Sequence, residues 1–291
     1  PSEAHYEKFY LDALPCADMY ERSYMHRDAV THIVVTQTRF VVTASRDGQV
    51  KFWKKMHEGV EFVKHFRAHL ASINALAASP DGTVVASTAD DQSIKVFDVL
   101  GFDMVSWIKA PFVPGVAEFV SRPGNVRCLL AVADREAGDV HVYDTNKPAD
   151  APPLGVVRPH GARVVCMRYS AAVDAVVSGD AKGILECWTA KVTVPDEDAE
   201  EGAPATTVEA AVPEGLAYQF KSETDLYDLA KCKAAPLSVA FSKDGAQVAV
   251  TATDWKVRVF AFRTGRLRRA YDESLDALQR QQADPGSPLA L

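Results

Sequence analysis

The 291 residues lack any apolar run approaching the ~18 needed for a helix to cross a bilayer, so no membrane span is expected. Basic excess is also missing. Lys and Arg number 32 against 39 Asp and Glu, a net charge of −7, and no dense Lys/Arg cluster offsets it. A broad phosphate-neutralising surface is therefore not expected, while a local basic patch stays open. The five cysteines, Cys16, Cys128, Cys166, Cys187 and Cys232, form no C-x-x-C pair. Their scatter and odd number argue against a zinc knuckle or a disulfide framework and fit buried thiols in a reducing compartment. No secretory signal opens the chain. Its first residue is Pro1 rather than Met, so a preceding piece is expected.

What is present is ample core material, with 47% hydrophobic and 24% charged residues. That length fits one large β domain or two ordinary ones. One short phrase recurs as SRDGQVKFW (45–53), ADDQSIKVF (89–97) and ATDWKVRVF (252–260). Each has an Asp, alternating apolar residues, and an aromatic six positions after the Asp. The closing aromatics Trp53, Phe97, Tyr143, Trp188 and Phe260 follow one another at steps of 44, 46, 45 and 72 residues. Steps near 40–45 are those of four-stranded WD propeller blades. The long last step contains KVTVPDEDAEEGAPATTVEAAVPEG (191–215), rich in Ala, Pro and acids and without apolar period, which reads as a flexible surface insertion.

Within each unit, period-2 strands rich in Val, Ile, Phe and Thr are joined by tight turns such as Asp47-Gly48. The fold class expected is all-β, a WD40 propeller of about five four-stranded blades, which the family resemblance given below implies to be an incomplete form of a seven-blade ring. Residues 1–20 are expected to be an N-terminal extension, 21–270 the blades, and 271–291 a short helix (272–284) and tail.

His26 precedes Asp47 by 21 residues and His69 precedes Asp91 by 22, with Thr43 and Ser87 four before each Asp. Such a set resembles a hydrolase triad. Repetition at constant spacing favours a structural tetrad instead: turn Asp to His, His to strand hydroxyl, hydroxyl to the Trp N–H, each buried polar group partnered. No catalytic residue, metal ligand or cofactor is assigned. Unit one is complete, with His26, Thr43 or Ser45, Asp47 and Trp53. Unit two has His69, Ser87 and Asp91 but Phe97 for Trp. Unit three keeps Tyr143 and the strand pattern. Unit four has His160, Ser178 and Trp188, with Lys182 in the Asp slot. Unit five has Asp254 and Phe260, with Cys232 near the His slot. On this reading, truncating Asp47 should strand His26.

Partner contacts are expected where the turns gather, at Arg46, Asp90 and Thr253, just before each turn Asp. KKMHEGVEFVKHFRAH (54–69) and RTGRLRRAYDE (263–273) mix bases with aromatics and could touch RNA. The first is better read as an outer strand, and the second as the neighbour of a further blade.

The stretches LPCADMYERSYMHRDAVTHIVVT (14–36), DGQVKFWKKMHEGVEFVKHFRAHL (47–70), KVFDVLGFDM (95–104) and ETDLYDLAKCKAAPLSVAFSKDG (223–245) closely resemble the peptidylprolyl isomerase domain and WD repeat-containing proteins. The resemblance runs from about residue 11 to about residue 282. It implies a WD propeller that, in the family, precedes a cyclophilin domain in nuclear, spliceosome-associated proteins. The cyclophilin signature, F-H-R followed by F-M-x-Q-G-G-D, appears nowhere, and KHFRAHL (64–70) is a chance echo of it. The chain is thus expected to be a non-enzymatic scaffold docking an isomerase to splicing complexes, with protein partners and no small-molecule substrate. The alternatives are an adaptor of another nuclear assembly, or an enzyme acting within this segment.

Overall fold

The structure, a computed structural model, describes residues 24–125, 127–148, 151–193 and 207–283. The expected extension at 1–20, most of the insertion and the tail after residue 283 lie outside them, as does Cys16. Among the described residues, twenty strands form five antiparallel meanders, blades 1 to 5. Blade 1 is β1 (Val30–Val35), β2 (Phe40–Ser45), β3 (Gln49–Lys55) and β4 (Val60–Arg67). Blade 2 is β5 (Ile73–Ala78), β6 (Val84–Ala89), β7 (Ser93–Asp98) and β8 (Asp103–Lys109). Blade 3 is β9 (Pro114–Phe119), β10 (Leu129–Asp134), β11 (Val140–Asp144) and β12 (Gly155–Val157). Blade 4 is β13 (Val164–Ser170), β14 (Ala175–Asp180), β15 (Leu185–Thr193) and β16 (Thr207–Ala211). Blade 5 is β17 (Pro236–Phe241), β18 (Gln247–Ala252), β19 (Lys256–Ala261) and β20 (Arg266–Asp272).

Alternation sends each strand's side chains to two faces, and consecutive blades bury facing rows against one another. Val42, Ala44, Val50 and Phe52 of blade 1 pack on Val85, Ala89 and Phe97 of blade 2. Ala86, Ile94 and Val96 meet Leu130, Val132 and Tyr143 of blade 3. Ala131, Ala133, Val140 and Val142 meet Val176 and Trp188 of blade 4, and Val177 and Leu185 meet Val248, Val250 and Phe260 of blade 5. The recurring aromatics therefore fill the joint with the preceding blade. Among the described residues no buried cluster joins blade 5 back to blade 1. Ile33 and Val35 of β1 stand 64% and 62% exposed and Leu237 of β17 56%, so the arc formed by the described residues is open.

The turns set this spacing. Gly48 sits at φ +80°, and a Cβ there would lie 2.3 Å from the His69 carbonyl oxygen of the next blade. Glycine is required twice over, by the left-handed turn and by the close approach.

Two expectations need correction. Residues 191–193 and 207–211 are not loop. They pair as the ends of β15 and as β16, from Thr189↔Ala211 to Thr193↔Thr207. The polar composition hid them because an outermost strand needs only one half-buried face. The expected helix is shorter, α2 (Leu275–Ala283), because β20 continues to Asp272. A second helix, α1 (Asp228–Lys231), was not anticipated. No helix among the described residues is long and apolar enough to cross a membrane.

Candidate functional site

The polar sets sit on the blade face turned toward the preceding blade. In blade 2, His69 Nδ1 lies 3.2 Å from both Asp91 oxygens and its Nε2 lies 2.6 Å from Ser87 Oγ. Burial holds the imidazole below its usual pKa against the pull of Asp91. Burial pushes the Asp91 carboxyl up, but the Ser93 hydroxyl and the Leu70 N–H outweigh it, so the net shift is downward. The arrangement is a neutral ring donating from Nδ1 to a carboxylate and accepting the Ser87 hydroxyl proton at Nε2. Phe97 supplies no N–H. In blade 4, His160 Nε2 lies 2.7 Å from Ser178 Oγ, which accepts the Trp188 indole N–H at 3.0 Å. The slot at Lys182 is empty of acid, but Asp180, two residues earlier, accepts the Lys182 and Ile184 N–H groups and stands 3.7 Å from His160 Nδ1.

Blade 1 departs from expectation. His26 Nε2 meets Thr43 Oγ1 at 2.7 Å, and the Trp53 indole donates to the same oxygen at 2.9 Å. Asp47, however, accepts from the Ser45 hydroxyl and the Gln49 N–H, and His26 Nδ1 is buried without a partner. Truncating Asp47 therefore does not strand an imidazole it never held. With no blade before it, this face is covered by Phe62, edge-on to Trp53, and by Tyr24 stacked on Phe62 at 4.4 Å.

Blade 5 solves the same problem with different chemistry. Cys232 is exposed and takes no part. Val250 stands where a hydroxyl would be. Arg258, 2% exposed, donates to both Asp254 oxygens at 3.0 and 2.7 Å and to Asp228 of α1 at 2.6 Å. The position four after the turn Asp is thus functional in the packing sense, and its basic character was legible in Lys51, Lys95 and Arg258. Lys51 Nζ donates to the carbonyls of Tyr24 (2.6 Å) and Met25 (2.7 Å), and Lys95 to that of Ala68. In blade 3 the equivalent His141 stacks on Phe112 at 4.1 Å, and Tyr143 fills the joint with its hydroxyl pushed up to about 12 by burial.

The exposed turns are where partners could reach. Arg46 is exposed. Asp90 is engaged by Arg135 of blade 3 and by the Asn74 amide at 2.7 Å, and the Thr253 hydroxyl accepts the Ala235 N–H at 3.1 Å. These two positions tie blades and loops together before any partner arrives. The innermost strands β1, β5, β9 and β13 line a channel cavity of about 460 Å³ that includes Ile33, Val35, Tyr169, Glu118 and Arg168. Among the described residues no group of His, Cys, Asp and Glu could hold a metal.

Glu118 is 14% exposed, lies 3.4 Å from Arg168, and is pushed up by burial to about 7. A carboxyl whose folded pKa is raised binds its proton more tightly in the fold, so stability falls as pH rises from about 4.5 to about 7. Glu118→Gln should therefore raise the denaturation midpoint above pH 7, by at most about 3 kcal/mol for the shift involved, and change little near pH 4. Midpoints measured against pH check it; equal effects at both ends would refute the assignment.

The WD domain, G-beta repeat family matches residues 21–54 and 60–98. The chain is 44% identical over 271 residues to the human peptidylprolyl isomerase domain and WD repeat-containing protein 1. That match covers 93% of this chain and 39% of the relative. A peptidyl-prolyl cis-trans isomerase of Arabidopsis thaliana is 42% identical over 94% of this chain and 41% of its own length. One of Schizosaccharomyces pombe is 32% identical over 93% and 42%. The chain thus spans about two fifths of these relatives. Among solved structures, Chaetomium thermophilum Sqt1 bound to the N-terminus of ribosomal protein L10 aligns with a TM-score of 0.60 at 14% identity. It covers 84% of this chain and 62% of that one, a likeness of fold alone.

Proposed function

From a chain that is a WD-repeat propeller segment related to the peptidylprolyl isomerase domain and WD repeat-containing proteins, we infer a scaffold that docks an isomerase onto pre-mRNA splicing complexes in the nucleus. The observation that carries this reading is the 44% identity across 93% of the chain to a relative whose name joins both parts. The internal placement of the His, Ser and Asp sets supports it. In blades 2 and 4 they are committed to joints between sheets, where no substrate reaches. The partners are proteins, met at the turn face and the rim. A structure of similar fold, Sqt1, was solved bound to the N-terminus of a ribosomal protein, so a protein segment is a fitting kind of partner.

The test is co-precipitation of the tagged chain from nuclear extract, with and without nuclease. Splicing proteins should be retained in both, and a full-length relative lacking the region equivalent to residues 11–270 should lose them. Normal entry of that deletion into splicing complexes would overturn the reading. A proline-isomerisation assay on the chain should show no rate above a denatured control.

A further inference from the structure

The outermost strand of blade 5 departs from the acidic character of the molecule. Residues 263–271 hold four arginines and no acid, a local charge of +4 in a chain of −7. Arg263, Arg266, Arg268 and Arg269 are all exposed. β20 pairs with β19 through Arg266, Leu267 and Arg269, with a register shift that leaves Arg268 out of the ladder beside Arg266. Arg266 and Arg268 line an open concavity of about 590 Å³ together with Tyr218 and Glu223.

The cluster is only partly neutralised from within. Asp225 lies 3.7 Å from Arg266, while Arg268 and Arg269 have no carboxylate partner among the described residues. Arg269 lies 3.4 Å from the Tyr271 hydroxyl. Exposed rings border both ends. Phe220, 59% exposed, belongs to the 215–225 segment, which is bound to the turn before the strand through Ala217 N–H to Arg263 O at 2.7 Å and to the strand through Leu267 N–H to Asp225 at 2.8 Å. Tyr271 (46%) and Trp255 (71%) stand at the far end, where the Glu273 N–H meets the Trp255 carbonyl at 2.9 Å. Exposed guanidiniums clustered near exposed rings match a single-stranded nucleic acid, whose phosphates take the charges and whose bases offer π-faces. An acidic peptide would use the charges and leave the rings idle.

We propose that β20, with its flanking aromatics, is a contact strip for single-stranded nucleic acid. This goes beyond protein docking and does not depend on it. The test titrates the full chain into a short fluorescein-labelled oligouridylate and reads anisotropy. With three guanidiniums engaged, tripling the salt should weaken binding about tenfold. Arg266→Glu/Arg268→Glu/Arg269→Glu should cost about twentyfold or more. Arg268→Glu alone, which breaks no ion pair, should cost a smaller, measurable part, so misfolding of the triple variant leaves the question decidable. Lys54→Glu/Lys55→Glu should leave affinity within about twofold. Absence of binding, an equal loss in the Lys54/Lys55 variant, or equally tight and equally Arg-dependent binding of a labelled oligoglutamate would each overturn the proposal.

Discussion

Arg258→Ala is expected to destabilise the molecule by about 3–5 kcal/mol, the range for removing one partner of a buried ion group. The guanidinium is 2% exposed and holds two carboxylates that are only 23% and 34% exposed, Asp254 and Asp228. Without it, the two acids face each other across a hole and have no cation. The expected readout is a lower denaturant midpoint, with amide exchange accelerating in blade 5 and α1 before the other blades. Arg258→Lys should recover part of the loss, because one ammonium cannot reproduce the fork to Asp254 and the separate bond to Asp228. Asp254 adds a pH signature. Hydrogen bonds from Arg258 hold its carboxyl below the usual range. Its contribution is therefore complete above about pH 3.8 and is lost as pH falls through the folded value. That acid limb should flatten in Arg258→Ala. Wild-type stability in the variant would show that the triad holds nothing.

Ser178→Ala should cost about 2–5 kcal/mol and Ser87→Ala only about 1–3, although both replace one buried hydroxyl by a methyl group. Ser178 Oγ serves two buried partners, His160 Nε2 at 2.7 Å and the Trp188 indole at 3.0 Å, and its loss orphans both. Ser87 serves His69 Nε2, and opposite it stands Phe97, which has nothing to lose. Each orphaned buried group costs its own desolvation, about 1–3 kcal/mol. Paired thermal and denaturant melts of the two variants measure the difference. Equal losses would mean that the indole N–H finds another acceptor. A Trp188→Phe background should then bring Ser178→Ala down to the Ser87→Ala value, since the second orphan is gone.

The blades were legible because their signal is local. Val, Ile and Phe at period 2, interrupted by Asp-Gly or Ser-Pro-Asp-Gly, specify strand and turn within a dozen residues, and β5–β7 and β17–β19 run as that grammar directs. The outer strand β16 was not legible, because Thr207–Ala211 is covered on one side only and its composition matches a solvated loop. The site was partly legible. His69, Ser87 and Asp91 meet as their spacing suggests, and so do His160, Ser178 and Trp188. Asp47 instead accepts from the Ser45 hydroxyl and the Gln49 N–H, and nothing in its spacing to His26 foretold that. Asp180 lies two residues before the expected acid position, and Arg258 takes the basic position four after the turn Asp that recurs in units one, two and five, so neither falls on the positions the tetrad spacing marks.

The sequence alone determined that the chain is a series of meanders, that an aromatic closes most of them, and that pairs such as Asp47-Gly48 turn the chain between strands. These depend on neighbours a few residues apart. Only the tertiary structure decided which carboxylate serves which cation or ring. The partners come from separate loops, 30 residues apart for Arg258 and Asp228 and 22 for His69 and Asp91. The angle at which one sheet leans on the next brings them together. The same leaning leaves Ile33 and Val35 bare at one end of the arc and the arginines of β20 facing water at the other.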